Sequence, residues 1–420
     1  MDAFDIVNLL IMLVFALCCF YQVMYIPISW WKKPKKHAEA KLHRYAVLVA
    51  ARNEAAVIAN LVESIRQQDY PADLVDIYVM ADNCTDDTAK IAEEAGAKVY
   101  TRFNYVSVGK GYVMHDLLEK LKEDGLFSQY DAFLVFDADN VLRENYISEM
   151  NKMFSDGFPV VTGYRNSKNF GDNWLTAGCG LWFLRESRYL NYPRTLIGSS
   201  AAIGGTGFGF RREVLERYGS WNFFTLTEDL EFTSRIISDG LQIGFCQEAV
   251  LYDEQPSDFR QSWRQRLRWS RGYLQMLRKY SPSLVKGIFN PDNPMRFACF
   301  DILMNTLPAI AMAVIGILVN TVQMSLLLYR DAPLWELVLP LLKAAASGYL
   351  TLFVMGLITT ITEWKQIHTG TGKKILYTFT FPLFMFTFMP ISIQSIFCRV
   401  TWKPIRHTRA LSRAAVEGHR

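Results

Sequence analysis

Residues 131–139 read DAFLVFDAD, an apolar run that ends in two aspartates. Three further apolar runs of strand length precede it, at residues 45–50, 75–80 and 98–100. Helical patterns follow these runs at residues 56–67, up to about residue 94, and at residues 109–122. Strands that alternate with helices in this way predict an α/β domain, in which helices cover both faces of a mostly parallel sheet.

Polar residues stand just beyond the predicted strands. In parallel sheets, ligands bind outside the carboxyl ends of the strands, so we expect these side chains to share one rim. The residues are Glu54, Asp82, Lys110, Asp137 and Asp139. No Gly-x-Gly-x-x-Gly follows the first strand, which argues against a dinucleotide-dependent oxidoreductase.

The pair Asp137 and Asp139 offers hard oxygen ligands to a divalent cation. Mg²⁺ and Mn²⁺ commonly bind one or two carboxylates together with diphosphate oxygens. A chain of this length contains about one Asp-x-Asp by chance, so it is the position at a strand end that favours a metal site over a helix cap. Lys110 stands between Gly109 and Gly111, where the backbone could approach a phosphate or form a surface turn.

Two adjacent acids, Glu228 and Asp229, precede a helical pattern at residues 230–237, with Thr227 available as a cap. A carboxylate within reach of a hydroxyl can act as a general base, which makes both acids candidate catalytic residues. The alternative is a helix N-terminus, where acidic side chains are favoured by the helix dipole.

A basic helical stretch contains Gln265, Arg268 and Trp269, which are three and four residues apart and therefore share one face. Arg268 can pair with a diphosphate through two donors, and Trp269 can stack on a sugar ring. An amphipathic helix on anionic lipid is the alternative, and both can hold for different faces. The glycine-rich loop at residues 204–207 could bring backbone close to a ligand or form a simple turn.

Four segments contain no charged residue, at residues 6–31, 302–329, 344–362 and 375–398. Each is near or above the roughly 20 residues that cross a bilayer core. They predict one N-terminal and about three C-terminal membrane helices. Asp2 and Asp5 precede the first segment and lysines, Lys35 among them, follow it, which argues against a cleaved signal peptide and places the polar domain in the cytoplasm.

The charge pattern thus divides the chain into five predicted regions. They are an N-terminal membrane helix (1–38), a cytoplasmic α/β domain (39–256), an interface helix region (257–294), C-terminal membrane helices (295–400) and a basic tail (401–420). A net charge of only +4 implies no nucleic-acid partner. The seven cysteines form no C-x-x-C, which argues against a cysteine metal site or a disulfide framework.

For the basic tail, the number of predicted membrane helices and the positive charge of the tail predict opposite sides of the membrane. One membrane helix before the polar domain and three after it would place the tail outside, although Lys403, Arg406, Arg409 and Arg413 favour the inside. Either the tail lies outside despite its charge, or one apolar segment is an interfacial or re-entrant helix. Pro390 makes a break in the last segment plausible.

Taken together and in this order, Asp82, Asp137-Ala-Asp139, Thr227-Glu228-Asp229 and Gln265-Arg-Leu-Arg268-Trp269 resemble the family 2 processive glycosyltransferases. That family includes cellulose, chitin, hyaluronan and poly-N-acetylglucosamine synthases. The resemblance covers motifs in residues 45–275 and extends to the layout of the flanking membrane helices. It implies a GT-A fold, a UDP-sugar donor, and Mg²⁺ or Mn²⁺ as cofactor.

The resemblance also implies roles for the matching residues. The donor would be bound by Arg52, Glu54, Asp82, Lys110, Asp137, Gln265, Arg268 and Trp269. The metal would be held by Asp137 and Asp139, Asp229 would be the base beside Glu228, and the acceptor would meet Trp269 and the loop Gly205-Thr206-Gly207. Many members have two adjacent acids where this chain has Ala81-Asp82, which leaves the uracil contact in doubt.

The function implied is that of a plasma-membrane, multi-pass, inverting hexosyltransferase. It would polymerise and export a β-linked polysaccharide from UDP-N-acetylglucosamine or UDP-glucose, with the growing chain, the lipid bilayer and accessory export proteins as partners. A non-processive or short-oligomer transferase that acts on a lipid or glycan is the first alternative. The second is a transporter or scaffold whose polar domain only binds nucleotide.

Overall fold

The computed structural model describes residues 3–34 and 36–418, so Asp2 and Lys35 of the topology argument and the last two residues of the predicted tail lie outside it. Within the described residues, eight strands form one sheet. Their bounds are β1 Tyr45–Ala51, β2 Val75–Asp82, β3 Lys98–Arg102, β4 Ala132–Asp137, β5 Val141–Leu142, β6 Val160–Ser167, β7 Phe208–Arg211 and β8 Ile243–Asp253. The four strands predicted from the apolar runs are β1 to β4.

The sheet is mostly parallel, in the order β3-β2-β1-β4-β7-β6-β8-β5. Only β7 and β5 run against their neighbours, so the predicted fold class is confirmed. In the parallel part, Ala51 is paired with Ala81 and Ala50 with Asp137. Because of this register, the carboxyl ends of β1, β2 and β4 meet at one edge, which is where the predicted rim residues lie.

Helices cover both faces of the sheet and continue beyond it. In the described part of the chain they are α1 Ala3–Cys19, α2 Tyr25–Trp31, α3 Ile58–Arg66, α4 Thr88–Glu94, α5 Lys110–Glu123, α6 Tyr146–Ser155, α7 Trp174–Glu186, α8 Tyr192–Leu196, α9 Arg212–Tyr218, α10 Glu228–Ser238, α11 Phe259–Phe289, α12 Arg296–Tyr329, α13 Leu334–Thr362, α14 Thr371–Phe386, α15 Phe388–Phe397 and α16 Arg413–Gly418.

Side chains of β1 alternate between two apolar cores, as the pleat of a strand requires. Leu48 packs with Leu117 and Leu118 of α5 on one face. Val49 packs with Leu61 and Val62 of α3 on the other. The sheet is therefore buried on both faces, which explains why its central strands are continuous apolar runs.

Three helical stretches of the described chain are long and apolar enough to cross a membrane: Ile6–Trp31, Val338–Thr362 and Thr371–Phe397. The helix α12 adds a shorter apolar stretch, Val314–Tyr329. These stretches overlap the four uncharged segments of the sequence.

The last stretch does not continue as one straight helix. It divides at Thr387, between α14 and α15 and three residues before Pro390. Phe384 of α14 packs directly on Gly178 of α7, and Trp263 Nε1 of α11 donates to Gln394 Oε1 of α15 at 2.7 Å. Both halves therefore lie against the α/β domain or α11, which favours the interfacial interpretation of this segment.

The tail returns to the α/β domain. His407 Nδ1 lies 2.9 Å from Glu54 Oε1, and the Thr408 N–H donates to Glu254 Oε1 at 3.0 Å. Further along, Arg413 pairs with Glu144 at 3.3 Å. The described tail thus lies on the same side as the α/β domain, and the alternative of a tail on the opposite side does not fit these contacts.

Candidate functional site

A cleft of about 430 Å³ opens at the carboxyl edge of β1, β2 and β4. Its walls come from the α/β domain, α11, the start of α12, α15 and the tail. The predicted site residues that line it are Arg52, Glu54, Asp82, Lys110, Asp137, Asp139, Gly205, Glu228, Asp229, Gln265, Arg268 and Trp269. One cavity therefore collects residues that are up to 217 positions apart in the chain.

The loops after β1 and β2 turn sharply so that acidic side chains face the cleft. Asn53 and Asn83 have φ values of 57° and 51°, in the left-handed region that asparagine tolerates better than most residues. Asp82 is buried, and its Oδ1 accepts a hydrogen bond from Arg102 Nη1 at 2.7 Å. Arg52 lies beside it, with Nη1 3.9 Å from Asp82 Oδ2. Arg52 and Asp82 thus lie side by side in this corner of the cleft.

Lys110 holds two sides of the cleft together. Its Nζ donates to Asp137 Oδ1 at 2.5 Å and to the carbonyl of Gly205 at 2.8 Å. The next residue, Gly111, was expected to let the backbone approach a phosphate or form a surface turn, but its surroundings indicate another role. A Cβ on Gly111 would stand 2.1 Å from the Phe223 carbonyl oxygen, so this glycine is required by close packing of the chain on itself.

Asp137 and Asp139 differ in their surroundings. The Asp137 side chain is 38% exposed, whereas Asp139 is buried and accepts a hydrogen bond from the Glu254 N–H at 2.7 Å. Burial by itself would raise the pKa of Asp139, but the charges of His407 and Lys168 outweigh it and hold the pKa below its usual value. Asp139 is therefore kept ionised at the floor of the cleft.

The two carboxylates fit a divalent cation only in part. In the described residues, no group of three or more His, Cys, Asp or Glu side chains is arranged to hold a metal ion by itself. Mg²⁺ is commonly bound by one or two carboxylates with the remaining positions taken by phosphate oxygens and water. Asp137 and Asp139 match that donor set, in which the ligand must complete the coordination.

The three loop residues that were expected to contact an acceptor differ in their position relative to the cleft. Gly205 lines the cleft, but Thr206 and Gly207 lie behind it. The Asp137 N–H donates to Thr206 Oγ1 at 2.9 Å, and a Cβ on Gly207 would stand 1.8 Å from Leu251 Cδ2. Thr206 therefore braces the Asp137 turn and Gly207 is needed for packing, so this geometry does not favour acceptor contacts for these two residues.

Glu228 and Asp229 form the first turn of α10. The expected Thr227 cap is not formed; its Oγ1 has no hydrogen-bond partner in the described structure, and the side chain packs against Gly272 of α11. Burial, reinforced by the charge of Asp229, raises the pKa of Glu228 to about 7. Burial also raises the pKa of Asp229, although Lys110 and Arg268 oppose the shift.

One face of α11 closes the cleft opposite these acids. Arg268 Nη1 donates to the Leu226 carbonyl at 3.2 Å, and the ring of Trp269 packs edge-on against Phe183 at 6.0 Å between centroids. Arg266 points away and is fully buried, with its guanidinium 4.5 Å from the Phe384 ring. The helix is thus site-directed on one face, and another face packs on α14.

The tail completes the cleft, and two of its lining residues, Trp402 and His407, were not identified by the sequence patterns. The Arg52 guanidinium lies 5.4 Å from the Trp402 ring, and His407 pairs with Glu54. Burial would lower the pKa of His407, but Asp139 and Glu54 raise it to about 10, so the imidazole is a cation at neutral pH. The only sequence signal that could have indicated a role for these residues was the basic charge of the tail, for which no acidic partner had been predicted.

Arg165 and Glu186 are further cleft residues that the motifs did not identify. Arg165 Nε donates to Asp253 Oδ2 at 2.7 Å, Nη1 donates to the Gly204 carbonyl, and the guanidinium lies 3.7 Å from the Phe183 ring. Burial raises the pKa of Glu186. Arg165 thereby fixes the loop that faces Asp229.

Known proteins resemble this chain in both sequence and fold. Residues 43–272 match the family model described as glycosyltransferase like family 2. Three relatives illustrate the range. "Probable glycosyltransferase YdaM" of Bacillus subtilis is 28% identical over 62% of this chain and 61% of its own length. A β-monoglucosyldiacylglycerol synthase of Nostoc is 24% identical over 89% of this chain and 76% of its own length. A poly-β-1,6-N-acetyl-D-glucosamine synthase of Staphylococcus epidermidis is 22% identical over 60% of each chain.

The solved structure of a mannosyltransferase from Pyrobaculum calidifontis, in complex with GDP-mannose and Mn²⁺, superimposes with a TM-score of 0.58. The alignment covers 92% of this chain and 98% of that one at 15% identity, and it supports the predicted GT-A fold. This chain spans about three fifths of the length of the Bacillus and Staphylococcus relatives. Because the family model matches more than half of its residues, the chain belongs to glycosyltransferase family 2.

Proposed function

We propose that this protein is an inverting hexosyltransferase that uses a UDP-sugar and glycosylates a hydroxyl group presented at the membrane surface. One observation carries the proposal. The cleft that contains Asp229 also reaches Ile302 and Asn305 of α12 and Phe388 of α15. The proposed base, the corner proposed to bind the nucleotide and helices on the membrane side would thus share one cavity.

The donor is proposed to lie along the strand ends. Arg52, Glu54 and Asp82 would bind the uridine, while Lys110 and Arg268 would face the diphosphate with complementary charge. Asp137 and Asp139 would hold Mg²⁺ or Mn²⁺, which supplies positive charge to the departing diphosphate when bound. Gln265 and Trp269 would contact the sugar from α11.

The proposed reaction is a single displacement. Asp229 accepts the proton of the acceptor hydroxyl, whose oxygen forms a bond to C1 of the sugar while the bond from C1 to the UDP oxygen breaks. Attack on an α-linked donor from the opposite face yields a β linkage. Arg268 and Lys110 stabilise negative charge on the leaving UDP, because both cations stand in place before the reaction.

The proposed acceptor is the hydroxyl group of a membrane lipid. The Nostoc relative, which is named as a β-monoglucosyldiacylglycerol synthase, aligns over 89% of this chain, and so its match extends beyond the α/β domain. Apolar residues of the cleft, Met385 and Phe388, lie on the interfacial helices. A lipid could therefore present its polar end to Asp229 and keep its acyl chains in the bilayer.

A growing polysaccharide is the second candidate acceptor. The arrangement of Gln265, Arg268 and Trp269 in the cleft supports it, since this motif carries the resemblance to processive synthases, and the Staphylococcus relative is named as such an enzyme. Export of a polymer would then follow from the adjacent membrane helices, with or without accessory proteins.

We also propose that the α/β domain and the tail both face the cytoplasm. They lie on one side, so the chain between them must cross the bilayer an even number of times. The helices α12 and α13 provide two crossings, while α14 and α15 stay at the interface. The positive charge of the tail agrees with this arrangement, which makes the protein a multi-pass membrane protein.

The test uses purified full-length protein with labelled UDP-glucose or UDP-N-acetylglucosamine, in vesicles with and without diacylglycerol. A solvent-extractable product with one hexose, sensitive to a β-glycosidase, is the expected result. Label in a high-molecular-weight product without added lipid would instead support the polymer. Turnover with GDP-mannose but with neither UDP-sugar would contradict the proposed donor.

A further inference from the structure

A second cavity, of about 310 Å³, lies between the end of β6, the loop from α13 to α14, and the tail. We propose that it binds the phosphate group of an anionic phospholipid or of a soluble phosphate ester. Three cations line it, Lys168, Lys373 and Arg409, against one carboxylate, Asp172. The excess positive charge is the first indication of an anionic ligand.

Lys168 provides the strongest evidence. Its side chain is 5% exposed, and in the described structure Nζ has no hydrogen-bond partner. An ammonium removed from water without a hydrogen-bonding partner is unfavourable, so such groups usually have a ligand or a counter-ion. The backbone of Lys168 is fixed, since its N–H donates to the Asp253 carbonyl at 2.8 Å. Lys168 thus lines the cavity, and its ammonium group forms no hydrogen bond in the described structure.

The other two cations differ: Lys373 has no carboxylate partner among the described residues, whereas Arg409 is paired with Asp172. Lys373 Nζ donates to the carbonyl of Gly171 at 2.7 Å, which leaves its charge uncompensated and two of its hydrogens available. Arg409 Nη2 pairs with Asp172 Oδ2 at 2.9 Å. A phosphate between Lys168 and Lys373 could accept hydrogen bonds from both, and charge-assisted bonds of this kind are the strong ones.

The location favours a lipid as the source of the phosphate. The apolar stretch Val338–Thr362 ends six residues before His368, which lines the cavity, and α14 begins at Thr371. Trp364 lies between them, and its ring is 4.7 Å from Nζ of Lys374 in α14. Aromatic and basic residues at the end of a membrane span are typical of the headgroup layer.

A competing explanation is that Lys168 only balances the acids of the sugar-transfer cleft. Asp139 and Glu254 do attract its charge, but neither forms a hydrogen bond with Nζ. The two explanations differ in whether a Lys168→Met variant loses the phosphate ligand: it does if Lys168 binds the phosphate, and it does not if Lys168 only balances those acids.

The test is native mass spectrometry of the full-length protein in detergent, with phosphatidylglycerol or phosphatidylcholine added at equal concentration. Glycerol 1-phosphate, measured by calorimetry, is the soluble probe. We expect one retained phosphatidylglycerol, bound about tenfold more tightly than phosphatidylcholine. Lys168→Met should reduce that retention about tenfold and Lys373→Met about threefold.

Lys365→Met is the matched control, because Lys365 is an exposed lysine in the same loop that does not line the cavity. Its retention should stay within about twofold of the unmodified protein. Binding of glycerol 1-phosphate as tight as that of the lipid would support the site and assign it to a soluble ester. Equal retention of both lipids with no glycerol 1-phosphate binding, or equal losses in Lys373→Met and Lys365→Met, would overturn the proposal. These readouts need no sugar donor, so they are independent of the proposed reaction.

Discussion

Replacement of Asp229 by asparagine is the most direct test of the proposed chemistry. Asparagine has nearly the same shape, so α10 and its packing should persist, but the amide cannot accept the proton of an acceptor hydroxyl. General-base catalysis contributes about 10²–10⁴-fold to a rate, or about 3–5 kcal/mol in the barrier. We expect kcat to fall by about 10³-fold while UDP binding changes by less than about threefold.

The neighbouring acid, Glu228, affects the expected loss of kcat in Asp229→Asn and also provides the control variant. The charge of Asp229 contributes to the raised pKa of Glu228, so Asp229→Asn should lower that pKa from about 7 and leave Glu228 more fully ionised. Such a carboxylate one residue away could replace part of the lost function. Glu228→Gln, by contrast, should reduce kcat at neutral pH by less than about tenfold, because it leaves the proposed base in place.

The pH dependence separates the two roles. The base must be ionised, and the pKa of Asp229 is raised, so activity should be present above that pKa and be lost as the pH falls through it. The raised pKa of Asp229 comes chiefly from burial, which Glu228→Gln does not change, so this variant should leave the acid limb of kcat/KM close to its original pH. The assay is UDP release at saturating acceptor, with calorimetry of UDP binding for each variant. A larger loss in Glu228→Gln than in Asp229→Asn would refute the assignment.

Chelation and three further substitutions test the cleft and the fold. Chelation should abolish turnover, and Asp139→Asn should raise the Mn²⁺ concentration for half-maximal activity at least about tenfold, as measured by metal titration. Trp402→Ala removes the ring that lies over Arg52, so the KM for the donor should rise about fivefold with a smaller change in kcat. Gly111→Ala places a methyl group against the Phe223 carbonyl and should destabilise the protein by about 1–3 kcal/mol, seen as a lower melting temperature.

Two matched controls accompany these variants. Trp335 is an exposed tryptophan in α13, and its replacement by alanine should leave the donor KM unchanged. Gly372 has open space around its Cβ position, so Gly372→Ala should not lower the melting temperature. A donor KM for Trp402→Ala equal to that of Trp335→Ala would exclude a donor contact by the tail.

The sequence alone could predict those parts of the fold that depend on patterns of neighbouring residues. The strands β1 to β4 are short apolar runs with polar residues at their ends, and both features are visible within ten residues. The pairing of β6 with β8 is different, since Val160 lies opposite Ile243 and the register shifts between Gly163 and Tyr164. Such pairing depends on contacts distant in sequence, which no local periodicity encodes.

The same distinction applies to the site. Asp137, Asp139 and Asp229 stand at the ends or beginnings of elements that were predicted, so their convergence followed from the fold. The ion pair of His407 with Glu54 joins residues 353 positions apart and could not be anticipated from either segment. The sequence predicted the same acceptor contact for Gly205, Thr206 and Gly207, because a pattern of small residues does not reveal which of them brace the turn.

The contacts of Trp402 and His407 also bear on biogenesis. Both residues follow every apolar helix in chain order, yet they form part of the wall against which the nucleotide is proposed to bind. A ribosome-bound intermediate would therefore carry an open, unfinished donor site until its preceding hydrophobic segments had entered the bilayer. Insertion of these helices would then precede any consumption of sugar nucleotide by the enzyme.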